Sequence, residues 1–192
     1  NVLGVVSGAT TDEMARLSAQ ADALGSDLTL PNTSANDAAT AMLELSKAGL
    51  TVNETLDASK GVLQLSAAAQ VSNAEAAAIT ANALNAFSLK GSEATKVADL
   101  LAGGANASSA SMTDLAQGLK QGAFAFASTG NSIDTLVTAV AALTNVGYDG
   151  GDAGTALKNA MLQLMAPTAG ASATMQQYGI NVRDAQGNML PF

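Results

Sequence analysis

The sequence contains no cysteine, no histidine and no tryptophan. Without cysteine there are no disulfide bonds and no thiol chemistry, and without histidine there is no imidazole general base. The two absences together remove most zinc sites. Carboxylate, lysine and serine chemistry is all that remains, so we expect no catalytic residue, no metal and no other cofactor.

Basic residues and long apolar runs are also scarce. Eight Lys and Arg against 16 Asp and Glu give a formal net charge of -8. Phosphate backbones are bound by clustered Lys and Arg, so we expect no nucleic-acid binding by this segment. The longest apolar run, at 136–146, falls short of the roughly 20 residues that cross a bilayer. We therefore predict no transmembrane segment.

Aromatic residues make up only 3% of the chain, although 48% is hydrophobic, because alanine dominates the apolar fraction. Alanine favours helix more than any other residue and adds little volume to a core. The composition predicts an all-α fold, an array of roughly seven to nine short antiparallel helices that pack closely. Helix breaks recur about every 20 residues, but the residues do not repeat, which favours a helical array over a solenoid of true sequence repeats.

The starts of several helices can be read directly from hydroxyl and acidic residues. A hydroxyl followed three residues later by an acid is the pattern of a capping box, in which each side chain satisfies a first-turn amide. An Asn or Asp beside another acid marks a start in a similar way. The predicted capping boxes are Thr51/Glu54, Ser72/Glu75 and Ser111/Asp114, and the two further starts are Asn131 and Asp149.

Three regions follow from these patterns. Residues 1–10 are short and punctuated by glycine, which predicts a linker or a frayed helix end. Residues 11–179 form the alanine-rich helical core domain. Residues 180–192 alternate aliphatic residues around a polar turn, which predicts a small β-hairpin or extended segment that closes against the helices. Because the chain starts with Asn1, we interpret it as a piece of a longer protein.

Glycines at 147, 150, 151 and 154 open one predicted helix, and such openings can bind phosphate. Asp149 and Asp152 stand in the same opening, where they would repel an anion, and no lysine follows Gly154 as in a P-loop. Neither these aspartates nor Asp184 with Asn188 have the ligand spacing of a calcium loop. We therefore predict a tight helix entry with close packing at Gly154.

A second pair of glycines, Gly118 and Gly122, lies in the middle of a predicted helix, where each costs about 1 kcal/mol relative to alanine. Close approach of another helix or a subunit contact would compensate this cost. Phe124 and Phe126 follow at once and cannot both face one core. We expect one of the two to lie at an interface.

The ordered motifs resemble a known family. They comprise the stretches 45–51, 83–89 (ALNAFSL) and 97–120, then GYDGGDAGTALKNAMLQLMAP at 147–167 and YGINVRDAQGNMLPF at 178–192. This order is similar to the core region of phage tail tape measure, or phage minor tail, proteins. The residues that carry the likeness most specifically are Gly147, Gly151, Ala153, Gly154, Thr155, Leu157, Asp184 and Gly187. Lys158 stands where an Arg-like residue is usual, which keeps the charge but loses bidentate bonding.

The resemblance implies a structural protein of the virion. Such proteins are long helical chains that occupy the tail lumen, set tail length during assembly in the host cytoplasm, and leave ahead of DNA at ejection. The implied partners are the tail tube, the tail assembly chaperone, baseplate or tail-tip proteins, and further copies in a trimer or hexamer. The alternative is a helical assembly module of a bacterial surface or secreted protein.

Overall fold

A computed structural model describes residues 2–187, 189 and 190. Over these residues the regular structure consists of ten α-helices and one 3₁₀ turn at Gly91–Glu93, with no β-strand. The predicted all-α class is confirmed, with ten helices where seven to nine were expected. They are α1 (Val2–Ser7), α2 (Thr11–Gly25), α3 (Ala35–Lys47), α4 (Val52–Ala69), α5 (Asn73–Ala86), α6 (Ala94–Ala107), α7 (Met112–Ser128), α8 (Ile133–Thr144), α9 (Gly150–Met165) and α10 (Ala169–Gln177).

The helices begin where local side chains satisfy the first amides. Thr51 and Ser111 form the predicted capping boxes with Glu54 and Asp114. Ser72 caps α5 by accepting from the Glu75 amide at 3.1 Å. Two further boxes that the sequence analysis did not identify start α2 and α3, at Thr10/Glu13 and Ser34/Asp37. The cap of α8 is Ser132, one residue after the predicted Asn131.

The C-terminal segment is extended, and its predicted hairpin is not formed. Between residues 180 and 190 the described backbone has one isolated antiparallel bridge, between Arg183 and Met189. The Leu190 amide also donates to the Val182 carbonyl at 2.9 Å. Two such contacts are too few for paired strands. The predicted region continues to residue 192, and Asn188, Pro191 and Phe192 lie outside the described residues.

The chain separates into two compact units, at Asn1–Gly103 and Gly104–Phe192. Their boundary falls inside α6 rather than in a linker, so no change of composition marks it. Within unit 1, residues 2–7 form the helix α1, which packs against α3. The core of unit 1 is aliphatic and small, and its largest fully buried side chains are Leu17, Met42, Leu45, Val62, Leu63, Leu65 and Leu101.

Helices two apart in sequence lie side by side in unit 1 and run in the same direction. Arg16 of α2 donates to Asn53 of α4 at 3.0 Å, across 37 residues. Asn73 and Asn85 of α5 reach the carbonyls of Asp37 and Ala48, 36 and 37 residues earlier. Consecutive helices also pack on each other, as short connections predict. The parallel contact between alternate helices is an addition to the predicted antiparallel array.

Unit 2 repeats this arrangement in α7, α8 and α9. α7 packs against both α8 and α9, and its contact with α9 is the most extensive in the described chain. The Ser109 amide, just before α7, donates at 2.8 Å to the side chain of Asn145, which caps the C-terminus of α8 and lies 36 residues later. The fully buried large side chains here are Leu115, Leu119, Phe126, Leu136 and Met161. α10 follows with no buried residue.

Candidate functional site: the glycine contact between α7 and α9

α7 and α9 touch through glycines. A Cβ atom placed on Gly154 would overlap the Gly118 carbonyl oxygen and lie 2.7 Å from Gly118 Cα. One placed on Gly118 would lie 3.0 Å from the Gly150 oxygen and 2.6 Å from Val140 Cγ1. Real Cβ atoms essentially never come closer than 3.0 Å to such a neighbour, and the three atoms nearest to Gly154 are all backbone. The two glycine motifs that the sequence singled out separately therefore form one contact, which has no space for a side chain at Gly118 or Gly154.

Gly122 lies one turn beyond Gly118 on the same side of α7. A Cβ there would lie 2.9 Å from Leu136 Cδ1 of α8 and 3.5 Å from the Gly154 oxygen. The first neighbour is the end of a flexible side chain, so it can move more easily than backbone. The restriction at Gly122 is therefore weaker than that at Gly154. Together the two glycines of α7 let α8 and α9 approach the same stretch of helix.

Asp114 joins the starts of α7 and α9. Its carboxylate accepts from the Ser111 hydroxyl at 2.6 Å and from the Ser111 amide at 2.9 Å, and Oδ1 also accepts from the Gly150 amide at 3.4 Å. A Cβ on Gly150 would overlap the Asp114 carbonyl oxygen. The Ser111 bonds, with a smaller contribution from the Gly150 amide, lower the pKa of Asp114 below its ordinary value. The sequence showed Asp114 only as a cap of α7, because its contact with α9 is not local.

The entry to α9 is a capped turn. Gly147 has a φ of +99°, a left-handed conformation that costs glycine little, and Tyr148 donates back to the Leu143 carbonyl at 3.2 Å. Asp149 then caps the helix by accepting from the Asp152 amide at 2.9 Å. An amide that would face an anion is thus already bonded to a carboxylate. This geometry supports a helix entry over a phosphate site.

The remaining family-motif residues of α9 differ in burial. Ala153 is completely buried and Leu157 nearly so, whereas Thr155 is half-buried. Gly151 has more space around it, since a Cβ there would make only ordinary contacts, at 3.6 Å from Asp149 and from Gln117 of α7. Within the predicted set, Ala153, Gly154 and Leu157 therefore form the buried side of α9.

The two phenylalanines of α7 point in opposite directions. Phe126 is 0% exposed and lies in the core of unit 2, whereas Phe124 is 79% exposed. They are two residues apart, which on a helix separates their directions by about 200°. Phe124 is therefore the one of the two whose ring remains available to a further partner.

Asp184 and Gly187 form a separate turn. Gly187 has a φ of +87°, and the Asp184 side chain accepts from the Gln186 amide at 2.9 Å. Arg183, which the sequence analysis missed, donates to the carbonyls of Gly187 at 2.7 Å and of Met165 at 2.8 Å. Met165 ends α9, where carbonyls lack helical partners. Arg183 thus holds the turn to the end of α9 and away from the glycine contact.

Across residues 2–187, 189 and 190, no group of three or more acidic side chains is placed to hold a metal ion. No helix in the same residues has both the length and the apolar character needed to cross a bilayer. The glycine contact holds α7 and α9 together, and its aspartates are engaged as helix caps.

Comparisons with known proteins relate the chain to phage tails. It is 35% identical over 186 residues to the tape measure protein of Pneumococcus phage Dp-1, covering 97% of this chain and 16% of that protein. It is 30% identical over 190 residues to the probable tape measure protein of Escherichia phage P2, covering 99% of this chain and 23% of that protein. The chain thus spans less than a quarter of each relative. No solved structure matches it significantly.

The match to a protein family covers nearly the whole chain. The family is described as phage-related minor tail protein, and the matched residues are 18–192. They include all of α3 to α10 and the glycine contact between α7 and α9. The chain belongs to the phage-related minor tail protein family.

Proposed function

We propose that this chain is the folded, non-enzymatic core segment of a tape measure protein, which sets tail length during assembly and takes part in genome ejection. The observation that carries the proposal is the near-complete coverage of this chain by two phage proteins with tape measure names. The helical packing is consistent with a structural protein. The alternative, an assembly module of a bacterial surface or secreted protein, has no support from these relatives.

The two compact units suggest how the segment contributes. Helical sequence measures length at about 1.5 Å per residue when it is extended as a single helix. Helices that fold back on each other add little length for their number of residues. We therefore infer that this segment is a folded module within the longer protein, and that extended helical sequence elsewhere measures the tail. The family-motif residues of α9 and the Asp184 turn serve to hold this module together.

The proposed partners are other tail components. We infer that the parent protein lies in the tail lumen of the virion, in contact with the tail tube and with baseplate or tail-tip proteins, and that it meets the tail assembly chaperone in the host cytoplasm. Phe124, exposed on α7, is a candidate contact for a partner or for another copy in a trimer or hexamer. We propose that this segment binds no nucleic acid, in keeping with its net charge of -8.

Tail length in electron micrographs tests the proposal. An in-frame deletion of 60 residues of helical sequence outside this segment is expected to shorten the tail by roughly 90 Å. The matched control is Gly154→Ala inside this segment, which removes no length. We expect this variant to reduce the number of complete tails and to leave the length of those that form unchanged. Tails of normal length after the deletion would contradict the ruler function.

A further inference from the structure

α10 has no extensive packing partner among the described helices. None of its residues is buried, and it makes no extensive contact with any other described helix. A helix of nine residues is only marginally stable in water, because helices in proteins are stabilised mainly by burying an apolar face. α10 and its C-cap do carry such a face, since Ala171, Met175 and Tyr178 follow the helical i, i+4, i+7 spacing. Tyr178 is 72% exposed.

α8 carries an uncovered stripe of small residues. Its buried side faces α7, through Leu136 and Val140. On an adjacent side of the helix, Thr135, Ala139 and Ala142 have the same i, i+4, i+7 spacing and line a shallow open depression. Their side chains are short, so another helix can approach the α8 backbone closely at this stripe.

The α8 stripe and the α10 stripe are related by the same sequence separation that relates the contacting residues of α7 and α9. Asp114 of α7 contacts Gly150 of α9, 36 residues later, and Gly118 contacts Gly154 at the same separation. The same separation of 36 residues joins each member of the α8 stripe to a member of the α10 stripe. The pairs are Thr135 with Ala171, Ala139 with Met175, and Ala142 with Tyr178. Met175 and Tyr178 would then lie on Ala139 and Ala142 of the α8 stripe.

The junction between α9 and α10 lacks the left-handed glycine and the returning hydrogen bond that follow α7 and α8. After α7 and α8, Gly130 and Gly147 adopt left-handed φ, and the next residue donates back to the end of the helix, as Tyr148 does to Leu143. After α9 comes Ala166, with φ -135° and ψ 69°, and then Pro167, which has no amide hydrogen to donate. Because the proline ring fixes its own φ, the direction of α10 is set by φ and ψ of Ala166 and ψ of Pro167, and by the Arg183 bond that holds the following turn to Met165.

We propose that α10 is a hinged helix that folds back about Ala166 and Pro167 onto the outward stripe of α8 and lies parallel to it. The structure shows the open position. The closed position buries Met175 and Tyr178, and the open position leaves them and the α8 stripe accessible. The segment would thus have a surface that is available only while α10 is open. This inference does not depend on the tape measure function.

Engineered cysteines test the closed position, because the natural chain has none. The pair Ala139→Cys with Met175→Cys is in register, and both positions are partly exposed, so neither change opens the core. The matched control, Ala139→Cys with Gln177→Cys, places the second thiol on the opposite face of α10. Each purified 192-residue chain is oxidised under dilute conditions, and disulfide formation is followed by non-reducing gel and intact mass.

We expect the in-register pair to form an intramolecular disulfide at least about tenfold faster than the control, because a disulfide requires Cα atoms within about 7 Å. Equal rates would mean that α10 has no preferred docking position, and no disulfide in either variant would mean that it does not reach α8. Predominant disulfide-linked dimers would place α10 on a second copy. Each of these three outcomes overturns the proposal. Circular dichroism of both variants shows that the helices are intact.

Discussion

Gly154 of α9 lies against Gly118 of α7 so closely that a Cβ atom on Gly154 would be 2.7 Å from Gly118 Cα and would overlap the Gly118 carbonyl oxygen. Helical glycine costs about 1 kcal/mol relative to alanine, and both helices contain it here in their interior. The close approach of two backbones, with the dispersion contacts that it permits, offsets this cost. The relationship determines which substitutions α9 tolerates.

Gly154→Ala is expected to lower the free energy of unfolding by about 1–3 kcal/mol, because the added methyl group must push two backbones apart. Chemical denaturation followed by circular dichroism measures the change. Gly151→Ala, three residues earlier in the same helix, is the matched control, since a Cβ there meets nothing closer than 3.6 Å. We expect that control to be neutral or slightly stabilising. Equal destabilisation of both variants would argue against the glycine contact.

Phe126 and Phe124 are expected to respond oppositely to truncation. Phe126→Ala should cost about 3–5 kcal/mol, because Phe126 is completely buried and the change leaves a cavity. Phe124→Ala should remain within about 0.5 kcal/mol, because the ring is 79% exposed. If Phe126→Ala does not fold, Phe126→Leu gives a smaller loss of roughly 1 kcal/mol that can be measured. A large loss from Phe124→Ala in the isolated chain would contradict its exposed position.

Acid is expected to weaken the helix caps. Hydrogen bonds from the hydroxyl and amide of Ser111 lower the pKa of Asp114 from its ordinary value of 3.8, and those of Thr51 lower the pKa of Glu54 from 4.5. A carboxyl group whose pKa is lower in the folded state than in the unfolded state stabilises the fold at pH values above its unfolded-state pKa. This stabilisation is lost as the pH falls through the folded-state pKa. The melting temperature should therefore decline below about pH 4.5.

The variant Asp114→Asn isolates one of these caps. It cannot ionise, so its melting temperature should be lower than that of the natural chain at pH 7, and the difference should shrink in acid. Asp114 and Glu54 are only partly buried, so solvent screens each charge and each contributes only a fraction of the total change. A difference between the two proteins that stays constant from neutral to acid pH would show that the Asp114 charge does not stabilise the fold.

Removing the residues after Gly179 is expected to destabilise the chain by about 1 kcal/mol, because the Met165 carbonyl at the end of α9 loses its bond from Arg183. Arg183→Ala in the full chain should reproduce most of this loss. It should also speed hydrogen exchange of the Leu190 amide, which donates to Val182. If truncation lowers the melting temperature and Arg183→Ala does not, residues of the segment other than Arg183 provide the stabilisation.

The starts of helices could be predicted from sequence because caps are local. Thr51 and Ser111 find their partners three residues away, so the pattern contains both members of each pair. The same pattern starts α2 at Thr10 and α3 at Ser34, although neither is among the predicted boxes. The shift from Asn131 to Ser132 is an error of one residue, because Asn131 is 6% exposed and its side chain bonds to Thr129 rather than capping α8.

Contacts across 36 or 37 residues could not be predicted in this way. Nothing near Gly118 indicates that its neighbour is Gly154, and nothing near Asp114 indicates that it accepts from Gly150. The division into two units was also not predicted, because its boundary lies within α6 and no linker composition marks it. The single core domain at 11–179 and the closing role of residues 180–192 remain predictions.

The sequence by itself determined the all-α class, most helix starts and the family resemblance, because alanine propensity, capping and ordered motifs act through residues close in the chain. Only the tertiary structure decided which glycines touch, which phenylalanine is buried, and that α10 is left unpacked. The glycine contact depends on alternate helices lying parallel about 36 residues apart. That distance is set by the lengths of the helices and turns between them, and no single motif contains it.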